Sequence, residues 1–159
     1  MLLAHLFIAE HKYLRNINIP VNGSFACQVS DKSITLAKTD DTSQFYNNNY
    51  CSAIIGPNGI GKSTIMDFIE LLVNDTDSRG VVIFYDHYDN EFHLCDINFP
   101  ELSEKAIITS LPFHITSDSK SFIIRENINF IKLNNISDLN DALSFSKTRN
   151  SVNFHDLSL

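Results

Sequence analysis

The eight residues Gly56-Pro57-Asn58-Gly59-Ile60-Gly61-Lys62-Ser63 constrain this chain more than any other feature. They satisfy the pattern G-x-x-x-x-G-K-[ST] in full, the phosphate loop that joins a strand to a helix. The chemistry requires these residue types. Glycines let the backbone bend so that successive N–H groups converge on phosphate oxygens. A helix beginning at Lys62 aims the partial positive charge of its N-terminus at the same anion. The Lys62 ammonium is expected at the β- and γ-phosphates, and the Ser63 hydroxyl at one position on Mg²⁺. The flanks fit: residues 52–55 read as a short buried strand, and residues 62–73 carry Ile65, Met66, Phe68, Ile69 and Leu72 at helical spacing. The loop is read as a site for a nucleoside triphosphate with Mg²⁺.

Before the loop, residues 2–9, 17–21, 25–29 and 34–37 read as strands, with turns at Asn22-Gly23 and Ser30-Asp31-Lys32. These predict an antiparallel β layer, followed by a polar stretch from Thr39 to Asn49. After the helix, Asn74-Asp75 and Gly80 are expected to end it. Residues 81–85 and 91–95 flank His87 to Asn90 as a β-hairpin. Residues 101–110 are expected to be helical and residues 122–125 and 128–133 extended. Ser137 is expected to cap a last helix running to about Thr148. The expected fold class is α/β, a P-loop NTPase with the antiparallel β layer ahead of its strand-loop-helix, in a single, incomplete domain over 1–159. It divides into an antiparallel β subdomain at 1–49, a strand-loop-helix at 50–73, and a hairpin plus mixed segment at 81–159.

Composition narrows the partners. With 43% apolar and 19% charged residues, a chain of 159 residues has enough apolar side chains for a core and is not of the disordered class. A net charge of −7 argues against a broad basic surface for nucleic acid. Cys27, Cys51 and Cys95 are odd in number and far apart, so neither a disulfide scaffold nor a zinc ribbon is expected, and a reducing cytoplasmic setting fits. The opening MLLAHLFIAEHK lacks the flanks of a signal peptide, and no run reaches the roughly 20 apolar residues of a membrane helix.

The form GPNGIGKST resembles that of ABC-type ATPases, especially the SMC, RecF and related AAA-like ATPases. The opening LFIAEHKYLRNINI resembles their start, in which a strand leads through a basic-aromatic turn to a second apolar strand. The resemblance covers the loop closely, residues 2–19 more loosely, and nothing past about Tyr85. It implies that Gly56, Pro57, Asn58, Gly59, Ile60, Gly61, Lys62, Ser63 and Thr64 hold the nucleotide. It also matches Lys12 and Arg15 to basic residues that in relatives lie near nucleotide or DNA. It further implies ATP hydrolysis, a homodimer or second ATPase lobe, and work on DNA in repair or phage defence. The link to DNA rests on resemblance alone.

Hydrolysis in that family needs an Asp-Glu strand end, a glutamine loop and an LSGGQ-like signature. None is found: Gln28 and Gln44 both precede the loop, and no L-S-G-G occurs. Residues 81–86 are the only run resembling an apolar strand ending in Asp, and Asp86 is followed by His87 rather than Glu. The expectation is the N-terminal lobe of a longer ATPase. The alternatives are a non-hydrolysing nucleotide-binding or interaction module, and a small phosphotransferase using Asp86. A GTPase fits less well, since it would need an N-K-x-D motif and none is present. His87, His93 and Cys95 bracket the hairpin without an evident fourth metal ligand. His11, His114 and His155 read as surface or packing residues, and Tyr46 or Tyr50 as candidates for stacking on adenine.

Overall fold

The computed structural model describes residues 1–39, 53–55, 57, 59, 61–72, 77–132 and 154–156. Every residue from Gly80 to Tyr85 is buried, and that run accounts for the layering. A strand buried on both faces must lie between two other layers. This one is β5 (Arg79–Asp86): Val82 and Phe84 point into a core shared with the helices, while Val81, Ile83 and Tyr85 point into a core shared with a second sheet.

The larger sheet has the order β2-β1-β5-β6-β8, with β1 at Leu2–His11, β2 at Leu14–Pro20, β6 at Glu91–Ile97 and β8 at Phe113–Thr116. Its neighbours are antiparallel except for β6 and β8, which are parallel. The smaller sheet has the order β3-β4-β7, with β3 at Phe25–Val29, β4 at Ser33–Lys38 and β7 at Ala106–Ile108. A parallel pair joins β9 (Phe130–Lys132) to β10 (Phe154–Asp156). Helices α1 (Lys62–Glu70) and α2 (Ser119–Arg125) contribute Phe68, Ile69, Phe122 and Ile123 to one core, with Leu6, Ile8 and Leu14.

The four N-terminal strands fall close to their expected positions, but they do not form one layer. Pro20 has no N–H to continue the ladder. The amides of Val21 and Asn22 both turn to the Ala4 carbonyl, at 3.1 and 3.2 Å. The chain then turns at 22–25, with the Phe25 amide donating to the Asn22 carbonyl, and enters the second sheet. The β3–β4 turn is the expected tight hairpin, closed by the Ser30 amide on the Ser33 carbonyl at 2.8 Å.

Several expectations are corrected. Residues 53–55 form no strand, and Ile54 and Ile55 are 42% and 89% exposed. A strand exists through its ladder. The inner places of the larger sheet are filled by β1, β5 and β6, each hydrogen-bonded on both edges within the order β2-β1-β5-β6-β8. Gly80 ends no helix; it lies within β5. Residues 101–110 form a short 3₁₀ helix (Pro100–Glu104) and then β7, whose isoleucines run parallel to β4. Residues 122–125 are helical rather than extended, because the Asp118 carboxylate accepts the Ser121 amide at 2.9 Å and starts α2. The expected last helix, the polar stretch after Thr39, Asn74-Asp75, Tyr46 and Tyr50 lie outside the described residues.

Candidate phosphate-binding site

Gly59 and Gly61 have φ of 85° and 95°, the left-handed region that favours glycine. The expected loop chemistry needs such turns, and they fall at two glycines of the motif. Helix α1 begins at Lys62, and the Gly61 carbonyl accepts the Ile65 amide at 2.9 Å. Its N-cap is Gly61, which has no side chain to offer, and no acidic residue occupies its first turn. A helix N-terminus of this composition carries partial positive charge that favours an anion. The Lys62 ammonium donates to the Pro57 carbonyl at 2.7 Å, five residues back across the loop. Ser63 is exposed. Gly56, Asn58 and Ile60 lie outside the described residues.

Thr64, expected to help hold the nucleotide, turns its side chain to the N-terminal hairpin. Its side chain is buried, and its hydroxyl pairs with the Tyr13 hydroxyl at 2.9 Å. Tyr13 comes from the two-residue turn between β1 and β2, where His11 pairs with Leu14. Lys12, the other turn residue, has φ 52° and donates to the Asp67 carboxylate of α1 at 2.5 Å. That pair is half exposed and contributes about 0.2–1 kcal/mol. Arg15 is used within its own hairpin: it donates to the Lys12 and Leu14 carbonyls at 2.6 and 2.9 Å and pairs with Glu10 at 2.9 Å. Of the two basic residues matched by resemblance, Lys12 is brought to α1 and Arg15 holds the turn that carries it.

His11 lies behind this turn. Its Nδ1 pairs with the Ser78 hydroxyl at 2.7 Å, and its ring lies 5.6 Å from that of Phe68. Burial, followed by the Lys12 charge, holds His11 below the usual histidine pKa against the pull of Asp67. His11 is therefore a packing residue, as its isolation in sequence implied.

Asp86 ends β5 and starts the hairpin turn. Its Oδ1 accepts the amides of Tyr88 and Asp89 at 2.8 and 3.4 Å. Burial works to raise its pKa, yet these amides and nearby positive charge hold it below the usual carboxylate value. Beside it, Glu91 bridges two histidines: Oε1 lies 3.0 Å from His93 Nε2 and Oε2 lies 3.1 Å from His114 Nε2. These residues line a cleft of about 380 Å³ with Arg125 and Glu126. The bracket of His87, His93 and Cys95 is not assembled. His87 is exposed against Tyr88, while Cys95 is buried in the helix-side core, where burial pushes its thiol up to about 12. Among the described residues, no group of three or more His, Cys, Asp or Glu side chains is arranged to hold a metal ion.

Another cleft, about 560 Å³, opens between the sheets beside Phe7, Asn16, Val29, Lys32, Phe99 and Lys105. It contains none of the motif residues, and the loop glycines and Lys62 remain the stronger indication of chemistry.

No protein-family model, no curated protein and no solved structure matches this chain. No helix among the described residues is long and apolar enough to cross a membrane. Sequence reasoning did not find Tyr13. The signal was the HKYL turn between two apolar strands, whose contacts across the chain no local pattern encodes.

Proposed function

We propose that this chain binds ATP with Mg²⁺ through Gly56 to Thr64, as the nucleotide-binding lobe of an SMC/RecF-like ABC ATPase. The observation that carries the reading is the coincidence of a full phosphate-loop motif with left-handed Gly59 and Gly61 and a helix that starts at Lys62 with no acidic residue in its first turn. The residues fit the ligand. The helix amides and the Lys62 ammonium match phosphate oxygens, and the Ser63 hydroxyl offers Mg²⁺ one oxygen. Mg²⁺ there would supply charge neutralisation to the phosphates. The chain carries no recognisable Asp-Glu or signature motif, so turnover is assigned to the protein completed by a second lobe or partner. A role in DNA repair or phage defence follows from the resemblance only, and the net charge of −7 adds no support.

Lys62→Ala tests the reading directly. Titration of ATP with Mg²⁺ is expected to give saturable binding by the wild-type chain and none measurable by the variant. Equal affinity in the two proteins sinks the nucleotide assignment. Turnover by this chain alone is expected to be negligible.

A further inference from the structure

We propose that Tyr13 is a positioning residue of the phosphate loop, acting through Thr64 and Gly61 to fix the first turn of α1 against the anion; this rests on reading Gly56 to Ser63 as a phosphate loop. Gly61 and Thr64 bracket Lys62 and Ser63, the two motif residues whose side chains meet phosphate and metal. Tyr13 touches both ends of that bracket. Its hydroxyl is 2.9 Å from Thr64 Oγ1, and a Cβ at Gly61 would stand 3.1 Å from the same hydroxyl and 3.3 Å from the ring. The glycine is what gives the ring its place.

Core packing does not account for this placement, because Tyr13 is 61% exposed. The backbone beneath it holds it instead. Leu14 is buried in the helix-side core, Arg15 donates to the Lys12 carbonyl at 2.6 Å, and Lys12 reaches Asp67 one turn further along α1. The tyrosine is thus a short strut from a fixed hairpin to the helix end. Thr64 is buried, so its hydroxyl has little freedom to choose another partner. A helix end held this way presents its amides in one orientation, and binding need not pay for ordering it.

The test measures Kd for ATP and for inorganic tripolyphosphate, each with Mg²⁺, by calorimetry under conditions where every protein is fully folded. Loss of stability alone then leaves affinity unchanged. Tyr13→Phe, which keeps the ring and removes the hydroxyl, is expected to weaken both ligands about three- to tenfold. In a Thr64→Val background, Tyr13→Phe is expected to have no further effect. Wild-type affinity in Tyr13→Phe overturns the proposal. So does an undiminished effect in the Thr64→Val background, or a loss confined to ATP, which would mean that the tyrosine meets the nucleoside. If the wild-type chain binds neither ligand, the phosphate-loop reading fails and this proposal fails with it. If it binds both while Tyr13→Phe is silent, only the proposal fails.

Discussion

Phe68 of α1 sits directly over Gly80 of β5. A Cβ at position 80 would lie 2.7 Å from Phe68 Cζ and 2.2 Å from the Phe7 carbonyl oxygen on β1. Gly80 faces Ile8 in the β1–β5 ladder, and its bare backbone is the floor on which the helix after the phosphate loop rests. The docking of α1 therefore depends on one missing methyl group.

Gly80→Ala is expected to destabilise the fold by at least about 1–3 kcal/mol, since the obstructing atom at 2.2 Å is backbone and cannot rotate away. The urea midpoint measures this. Because Phe68 must move, the variant should also bind ATP more weakly where it is still folded. A midpoint equal to that of the wild type would show that α1 does not rest on β5 as described.

Asn18 joins the two sheets. Its Oδ1 accepts the Val29 amide at 2.8 Å and pairs with His5 Nε2 at 2.9 Å, while its Nδ2 donates to the Val29 carbonyl at 2.8 Å. Asn18→Asp replaces that donor with an oxygen facing a carbonyl, and is expected to cost about 2–3 kcal/mol at neutral pH. Part of the loss should return near pH 4, where a protonated carboxyl can donate again. Comparing Asn18→Asp with wild type across this pH range checks the assignment, because the carboxyl is present only in the variant, whereas His5 beside it is present in both.

Three buried histidines predict acid sensitivity. Burial is the leading cause that holds His5, His11 and His93 below the usual histidine pKa of about 6.5. Below about pH 6.5 the unfolded chain takes up protons that these folded side chains resist. The stability they preserve is fully present above that pH and is lost as the pH falls toward their folded values. The urea midpoint should therefore drop between pH 7.5 and pH 5. His93→Gln should flatten the slope by at most about 1.4 kcal/mol per pH unit, one proton's worth.

Asp86→Ala separates the phosphotransferase alternative from the proposed reading. Loss of the two turn amides' acceptor is expected to cost about 0.5–1.5 kcal/mol of stability and to leave the Kd for ATP unchanged. Robust turnover by this chain that vanishes in Asp86→Ala would instead favour the phosphotransferase.

Local signals explain which parts of the fold were legible. Alternation along residues 25–29 and 34–37, the polar turn between them and the His87–Asn90 turn mark strands near where they occur. The helix after the loop was legible from its 3.6-residue spacing, and Met66, 43% exposed, is the member of that pattern that faces away. The apolar Phe122–Arg125 was misread, because Phe122 and Ile123 are as compatible with a strand as with a helix until Asp118 caps the turn. Ile54 and Ile55 read as a buried strand because β-branched residues prefer ladders, but they have no ladder among the described residues.

The sequence by itself determined the motif, the conformational freedom at Gly59 and Gly61 and the start of α1, since each depends on residue types within a few positions of one another. Only the tertiary structure decided that the first four strands divide between two sheets, that Gly80 carries Phe68, and that Tyr13 and Lys12 brace the helix end at Thr64 and Asp67. The Tyr13–Thr64 and Lys12–Asp67 contacts join residues 51 and 55 positions apart, and Gly80 meets Phe68 across the end of α1, in a chain whose local preferences are indifferent to all three. Burial of both faces of β5 selects that arrangement, and it is a property of the assembled layers rather than of any segment.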